Sequence, residues 1–213
     1  MQVSQLQFDR QNRLEISQLE CIRDDRILFE HLNFELNAGE LLQIEGHNGS
    51  GKTSLLRILC GLSLPESGQI FWQKQDIEED KSAYWEHLSY IGHAPGIKGE
   101  LTPIENLQMA KAIASQPTEV SLEAILEQVG LYGFEDVPTR TLSAGQQRRV
   151  ALARLLTNDV QLWILDEPFT ALDKKAIQMV ENLLDQHAQR GGMAIVTSHH
   201  HVNCKYARIL KLA

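Results

Sequence analysis

Leu41-Leu42-Gln43-Ile44-Glu45-Gly46-His47-Asn48-Gly49-Ser50-Gly51-Lys52-Thr53-Ser54-Leu55-Leu56-Arg57-Ile58-Leu59-Cys60 reads as an apolar strand, a glycine-rich turn and a helix in immediate succession. Gly46 to Thr53 fits the pattern G-x-x-x-x-G-K-[ST]. Glycines let the backbone curl so that successive N–H groups face inward onto phosphate oxygens. The start of the following helix adds a partial positive charge there. On this reading Gly46, His47, Asn48, Gly49, Ser50, Gly51, Lys52, Thr53 and Ser54 form a nucleotide-binding loop. Lys52 reaches the β- and γ-phosphates and the Thr53 hydroxyl ligates Mg²⁺. From average residue usage, a chance match has odds of about 1% per chain, and the strand–loop–helix setting lowers them further.

Further along, Val160-Gln161-Leu162-Trp163-Ile164-Leu165 runs into Asp166-Glu167-Pro168. An apolar run of this length reads as a buried parallel strand. Acids at its carboxyl end lie where open α/β sheets bind ligands. Successive strand residues face opposite ways, so the two acids can divide the work: Asp166 holds Mg²⁺ through water, and Glu167 acts as general base on the attacking water. An acidic turn after a strand is the plain alternative, and the phosphate loop upstream argues against it. The fold expected is α/β, a mostly parallel sheet with an N-terminal antiparallel layer, the phosphate loop and Asp166 being on adjacent elements.

The remainder of the 213 residues agrees with this frame. Leu14 to Ile22 and Leu32 to Leu36 read as strands separated by the turn-like Arg23-Asp24-Asp25-Arg26. Gln69 to Trp72 reads as another strand. Residues from about 95 to 150 are mostly helical in pattern, with a 3-4 spacing at Leu122, Ile125, Leu126 and Val129. Lys174 to Arg190 reads as a helix stopped by Gly191-Gly192, followed by strands at Ala194 to Thr197 and Tyr206 to Leu212. Apolar residues make up 43% and charged residues 23%, the mixture of a soluble globular chain. A net charge of −8 speaks against a general nucleic-acid-binding surface. Cys21, Cys60 and Cys204 are far apart, which suits neither a disulfide framework nor a zinc site. Met1 to Arg10 lacks the apolar core of a signal peptide, and no stretch nears the ~20 apolar residues that cross a bilayer.

Leu142-Ser143-Ala144-Gly145-Gln146-Gln147-Arg148-Arg149-Val150 precedes the carboxylate pair, with a helix from Arg148 to Leu155 between them. It resembles the LSGGQ signature of ABC ATPases. Thr170-Ala171-Leu172-Asp173 resembles that family's D-loop, and His199 its switch histidine. The ordered set covers essentially the whole chain, read as one nucleotide-binding cassette over residues 1–213 with a helical subdomain at roughly 95–150. The resemblance implies ATP and Mg²⁺ as cofactors and catalytic roles for Glu167, His199 and Lys52. It also implies a head-to-tail homodimer, in which Ser143, Ala144, Gly145, Gln146 and Asp173 of one subunit complete the nucleotide site of the other. Ala144 replaces the usual first signature glycine, which is harmless unless that backbone needs a positive φ. Ser143 taken alone is also a good helix N-cap.

Two further departures stand out. Where the family has a glutamine after a mid-chain strand, this chain has His93, placed here near Mg²⁺ or the attacking water. Where it stacks an aromatic residue on adenine, this chain has Arg23. A guanidinium plane stacks on a base too; a solvated turn residue paired with Asp24 or Asp25 is the equal alternative. Together with Tyr90-Ile91-Gly92-His93, Pro95-Gly96-Ile97-Lys98, Leu101-Thr102 and Glu105-Asn106-Leu107, these departures resemble the ATP-binding subunits of cytochrome c maturation, or haem exporter, systems. That resemblance implies an integral membrane partner (CcmB-like), no nucleic acid, and a peripheral place on the cytoplasmic face of a bacterial inner membrane. Gly96 to Leu101 and the nearby helices are the expected docking face. A soluble ABC ATPase acting on the ribosome or nucleic acid is the alternative, disfavoured by a single cassette without heptads. A module that binds ATP without turning it over is disfavoured by Glu167 and His199. His199-His200-His201 do not converge as a metal tract, since neighbours on a strand diverge. Trp72, Trp85 and Trp163 are read as packing, and Glu78 to Lys81 as a solvated loop.

Overall fold

The structure, a computed structural model, describes residues 7–212. The reading of Met1 to Arg10 therefore falls in part, at residues 1–6, outside the described residues. Strands β1 (Arg13–Arg23) and β2 (Arg26–Asn37) form an antiparallel hairpin. Its two linking residues, Asp24 and Asp25, both have positive φ, 48° and 58°, as a two-residue I′ hairpin turn requires. Aspartate tolerates that region better than most side chains. β4 (Ser67–Trp72) pairs with β1, and β5 (Gln75–Asp76) completes a four-stranded sheet of order β2-β1-β4-β5. Gly68, at φ 92°, passes so close to β1 that a Cβ would sit 2.4 Å from the Gln18 carbonyl oxygen.

The second sheet is parallel. It holds β3 (Leu41–Glu45), β6 (Leu88–Ile91), β7 (Leu162–Asp166), β8 (Met193–Thr197) and β9 (Ala207–Lys211), in the order β6-β7-β8-β3-β9. The expectation that the phosphate loop and Asp166 sit on adjacent elements needs correction: β3 and β7 are not neighbours, because β8 lies between them. Helix α1 (Lys52–Leu59) closes the gap, leaving the loop after β3 and packing against β7.

Strand alternation divides the core in two. Leu162 and Ile164 of β7 join Leu14 and Ile16 of β1 and Leu55 and Leu56 of α1. Trp163 and Leu165 join a second cluster built from α3 (Pro103–Ala112), α4 (Leu122–Gln128), α5 (Ala144–Ala153) and α6 (Lys174–Gln189). Both faces of β7 are covered, which is why it reads as an unbroken apolar run. On α6, Val180, Leu183, Leu184, His187 and Ala188 are buried at helical spacing. Asp173 caps its first turn, its side chain accepting from Ala176 N, and Gly191 follows its end at φ 88°. α2 (Lys81–Trp85) was not foreseen in the Glu78-Glu79-Asp80-Lys81 run; Asp80 is its N-cap and Lys81 pairs with Glu78 at 3.0 Å. Trp72 packs on Tyr84 and His87, whereas Trp85 is 45% exposed.

His187 is the buried base of this core. Its ring stacks on Trp163 with centroids 3.8 Å apart and planes 9° apart, and Nε2 lies 3.0 Å from the Gln161 carbonyl oxygen. A Cβ on Gly192 would come within 2.4 Å of that ring. Burial pulls the imidazole pKa from 6.5 down to about 3, with the Gln161 backbone bond opposing in part. A base whose folded pKa is depressed stabilises the fold fully above its unfolded pKa, and that contribution is lost as pH falls toward the folded one. Stability should therefore fall by up to about 1.4 kcal/mol per pH unit below about pH 6.5. His187→Gln should flatten that slope in urea titrations between pH 7 and pH 4.5, and an unchanged slope would remove His187 as its source.

Candidate nucleotide site

The loop after β3 stays close to its own helix. Gly51, the residue before α1, has φ 94°, a conformation glycine tolerates. Lys52 is 9% exposed and folds its ammonium back, donating to the carbonyl oxygens of Gly46 at 2.7 Å and His47 at 3.1 Å. From the next residue of the helix, the Thr53 hydroxyl donates to Asp166 Oδ2 at 2.9 Å. The other carboxylate oxygen, Oδ1, accepts from the Thr197 hydroxyl at 2.7 Å. Thr197, itself fully buried at the end of β8, also accepts from the Glu167 backbone N–H at 2.9 Å.

Lys52, Thr53, Asp166 and Glu167 line one cleft of about 630 Å³, together with Asn48, Gly49, Gly51, Ser54, His93, Thr170 and His199. Arg23 and Leu28 of the β1–β2 hairpin line it too. Glu167 has the left-handed φ of 50°, and among the described residues its Oε1 is buried without a hydrogen-bond partner. His199 Nε2 stands 3.6 Å from that oxygen. The structure thus gathers Lys52, Thr53, Asp166, Glu167, His93, His199 and Arg23 about one space. The ion pair of Arg23 with Asp24 or Asp25 is not formed among the described residues; its Nη1 reaches only the Ile22 carbonyl, at 3.5 Å.

Other expected site residues lie elsewhere. Ser143 caps α5 in a capping box, accepting from Gln146 N while the Gln146 side chain accepts from Ser143 N. Ala144 is not among the positive-φ residues, so its methyl imposes no strain. Gly145 packs on the D-loop of its own chain: a Cβ there would sit 2.6 Å from the Ala171 carbonyl oxygen. Ser143 to Gln146 and Asp173 lie outside the cleft, and Asp173 is engaged as the α6 cap. Gly46, His47 and Ser50 belong to the loop but not to the cleft wall; Ser50 is 2% exposed beneath it.

Two residues went unnoticed in the sequence. Thr197 was read only as the end of a strand. Arg148, at 3% exposure, donates to five carbonyls: Asp166 at 2.7 Å, Glu167 at 2.8 Å, Gly92 at 3.0 Å, Pro168 at 3.3 Å and His93 at 3.4 Å. Its 3-4 spacing to the buried Ala151, Leu152 and Leu155 was the available signal.

A parallel sheet with a glycine-rich loop opening a helix, and a strand-end aspartate hydrogen-bonded to that helix, define a P-loop nucleotide-binding fold. Residues 29–170 match the ABC transporter family. A cytochrome c biogenesis ATP-binding export protein CcmA from Methylococcus capsulatus is 55% identical over 85% of this chain and 88% of its own. Its namesakes from Nitrosococcus oceani and Haemophilus influenzae are 51% and 49% identical, each over 95% of this chain and over 93% and 96% of their own. Among solved structures, an ATP-binding subunit of an ABC transporter superposes with a TM-score of 0.80 at 25% identity, over 93% of this chain and 87% of its own. An ABC transporter ATP-binding protein from Pyrococcus furiosus superposes at 0.79 with 22% identity, over 93% and 97%, a likeness of fold. The chain belongs to the ABC transporter family of ATPases, in the branch that holds the CcmA proteins.

Thr197 holds both acids, through the side chain of one and the backbone of the other. Thr197→Val should cost roughly 1–3 kcal/mol, leaving a buried carboxylate oxygen and an N–H unpaired, whereas Thr197→Ser should cost less than half as much. Urea unfolding of the two variants tests this, and a loss in Thr197→Ser as large as in Thr197→Val would show that the hydroxyl is not the dominant contribution.

Proposed function

We propose that this chain hydrolyses ATP as one half of a head-to-tail dimer and drives a membrane partner of the CcmB kind in haem export or cytochrome c biogenesis. The single cassette spans residues 1–213, with the helices of roughly 95–150 as a subdomain, and works from the cytoplasmic face of a bacterial inner membrane. Among the described residues no helix is long and apolar enough to cross a membrane, so attachment would be by docking. The observation that carries the reading is the hydrogen-bonded row Thr53–Asp166–Thr197–Glu167, which ties the phosphate loop to the two acids. Partnership with a membrane chain, haem and cytochrome c come from the resemblance to the CcmA relatives.

A hydroxyl and a carboxylate within 2.9 Å, both hard oxygen donors, fit Mg²⁺. Thr53 and Asp166 would hold it, His93 standing beside it on the cleft wall, and the ion would supply charge neutralisation between phosphates. The Gly46-to-Ser54 amides and Lys52 would take the phosphates, and Arg23 would lie against the base. Glu167 Oε1, unpartnered and 3.6 Å from His199, is free to accept a proton from water, with His199 steadying the charge. Ser143 to Gln146 and Asp173, lying outside the cleft of their own chain, would face the nucleotide of a second copy, with helix α5 presenting its amino end.

Glu167→Gln should therefore lose about 10²–10⁴-fold in phosphate release while still binding MgATP. With one negative charge fewer against the γ-phosphate, it should persist as a dimer on size-exclusion chromatography. Lys52→Ala should weaken binding itself, and Ser143→Arg should block closure while sparing binding. A Glu167→Gln chain that hydrolyses at the wild-type rate would remove Glu167 from this role. One that loses hydrolysis yet stays monomeric in MgATP would defeat the dimer.

The docking face for the membrane chain would take in Gly96 to Leu101, the nearby helices and the adjoining groove beside edge strand β6. Trp85, Tyr90, Ile113 and Arg154 line it, with Ile113 79% exposed. Ile97, one of the expected contacts, is half-buried against the α-helical core. Ile113→Glu should therefore abolish co-purification of the membrane partner from detergent extracts and leave ATP binding intact. Undiminished co-purification would move the docking face elsewhere.

A further inference from the structure

The search beyond the cleft leads to Arg148. A guanidinium with 3% exposure normally faces a carboxylate. This one instead donates to five backbone carbonyls in two separate segments. Three belong to Asp166-Glu167-Pro168 and two to Gly92-His93. The residue in the middle of the first segment, Glu167, holds a left-handed φ of 50°. Such a conformation is unfavourable for a non-glycine residue and persists only where its surroundings over-determine it. The surroundings are visible: Thr197 takes the Glu167 N–H at 2.9 Å, and Arg148 takes the Glu167 carbonyl at 2.8 Å. The peptide groups on either side of the residue are thus both pinned, and the Oε1 atom is left unpartnered within the cleft.

We infer that Arg148 is a positioning residue that holds the Glu167 side chain in register with the signature end of α5, braced by its bonds to the Gly92 and His93 carbonyls. Arg148 follows Ser143 to Gln146 on the same helix, four residues past its first residue, Ala144. A displacement of the helix start therefore reaches the Glu167 and His93 carbonyls through one planar, rigid group. The fork geometry is essential. A lysine ammonium has three donors at one point and cannot serve carbonyls spread across two segments. The inference rests on the ATPase reading above, and on Glu167 as the base.

The test uses the full chain in the membrane complex that co-purifies with it. Arg148→Lys should lower kcat by about ten- to a hundredfold, the usual penalty of ångström-scale misplacement. KM for ATP and the affinity for a fluorescent ATP analogue should stay within about twofold. In a Glu167→Gln background the same substitution should lower the residual rate no further, since the group it positions is already gone. Arg148→Gln, which keeps two donors and carries no charge, serves if the lysine variant does not accumulate folded. The inference is overturned if kcat of the folded variant stays within twofold of wild type. It is equally overturned if kcat and ATP affinity fall together, or if the loss multiplies in the Glu167→Gln background, for then Arg148 only supports the fold. A Glu167→Gln chain of wild-type activity would instead sink the underlying assignment of the base, whatever Arg148 does.

Discussion

Asp166 is a carboxylate with 1% exposure. Burying one in ionised form is affordable only if its oxygens are satisfied. Thr53 supplies a donor from α1 and Thr197 another from β8, so a single side chain ties three elements at their functional ends. The bond to Thr53 fixes how α1 lies across the sheet, and with it the direction of the phosphate loop. The bond to Thr197 fixes the end of β8, from which Ser198 and His199 leave. That carboxylate thus links the loop to the strand end beside Glu167 and His199.

Much of this was legible because it is local. The phosphate loop is a contiguous motif whose backbone demands are met by its own glycines. The β7 run is apolar throughout because both of its faces are covered, one by α1 and the antiparallel sheet, the other by the helices. Strand order was not legible. β8 enters between β7 and β3 although it follows both in the chain, and only the packing of crossover helices decides that. The loop and Asp166 meet through the Thr53 side chain, a contact across 113 residues that no spacing rule contains. α2 escaped for a different reason: a run of three acids and a lysine reads as solvated, yet Asp80 caps and Lys81 pairs with Glu78, using those charges to start a helix.

Arg148 and Arg149 mark the limit of a residue-by-residue reading. Side by side, they look alike in sequence. Arg149 reaches outward to the Gly130 carbonyl at 2.7 Å, ending α4 against α5. Arg148 turns inward, one step further around the helix, to the carbonyls beneath the site. A rotation of about 100° per residue separates a joint within the helical region from a clamp on the acids.

Two left-handed non-glycine residues lie in the same neighbourhood. Glu167 and Ala171 both have positive φ, and they flank the turn that leads from β7 to α6. Gly145 of the signature presses on the Ala171 carbonyl, where any side chain would collide. The signature helix thus touches the carboxylate segment twice, by Gly145 on Ala171 and by Arg148 on Asp166 to Pro168. Left-handed residues without glycine are unfavourable and need external support, and for Glu167 that support comes from Thr197 of β8 and Arg148 of α5. The amino end of that helix is exposed at Ser143 and Ala144, while Gly145 meets Ala171 and Arg148 bonds the Glu167 carbonyl. One helix thus joins the exposed signature to the backbone of both acids, a connection that a cleft built from strand ends alone would lack.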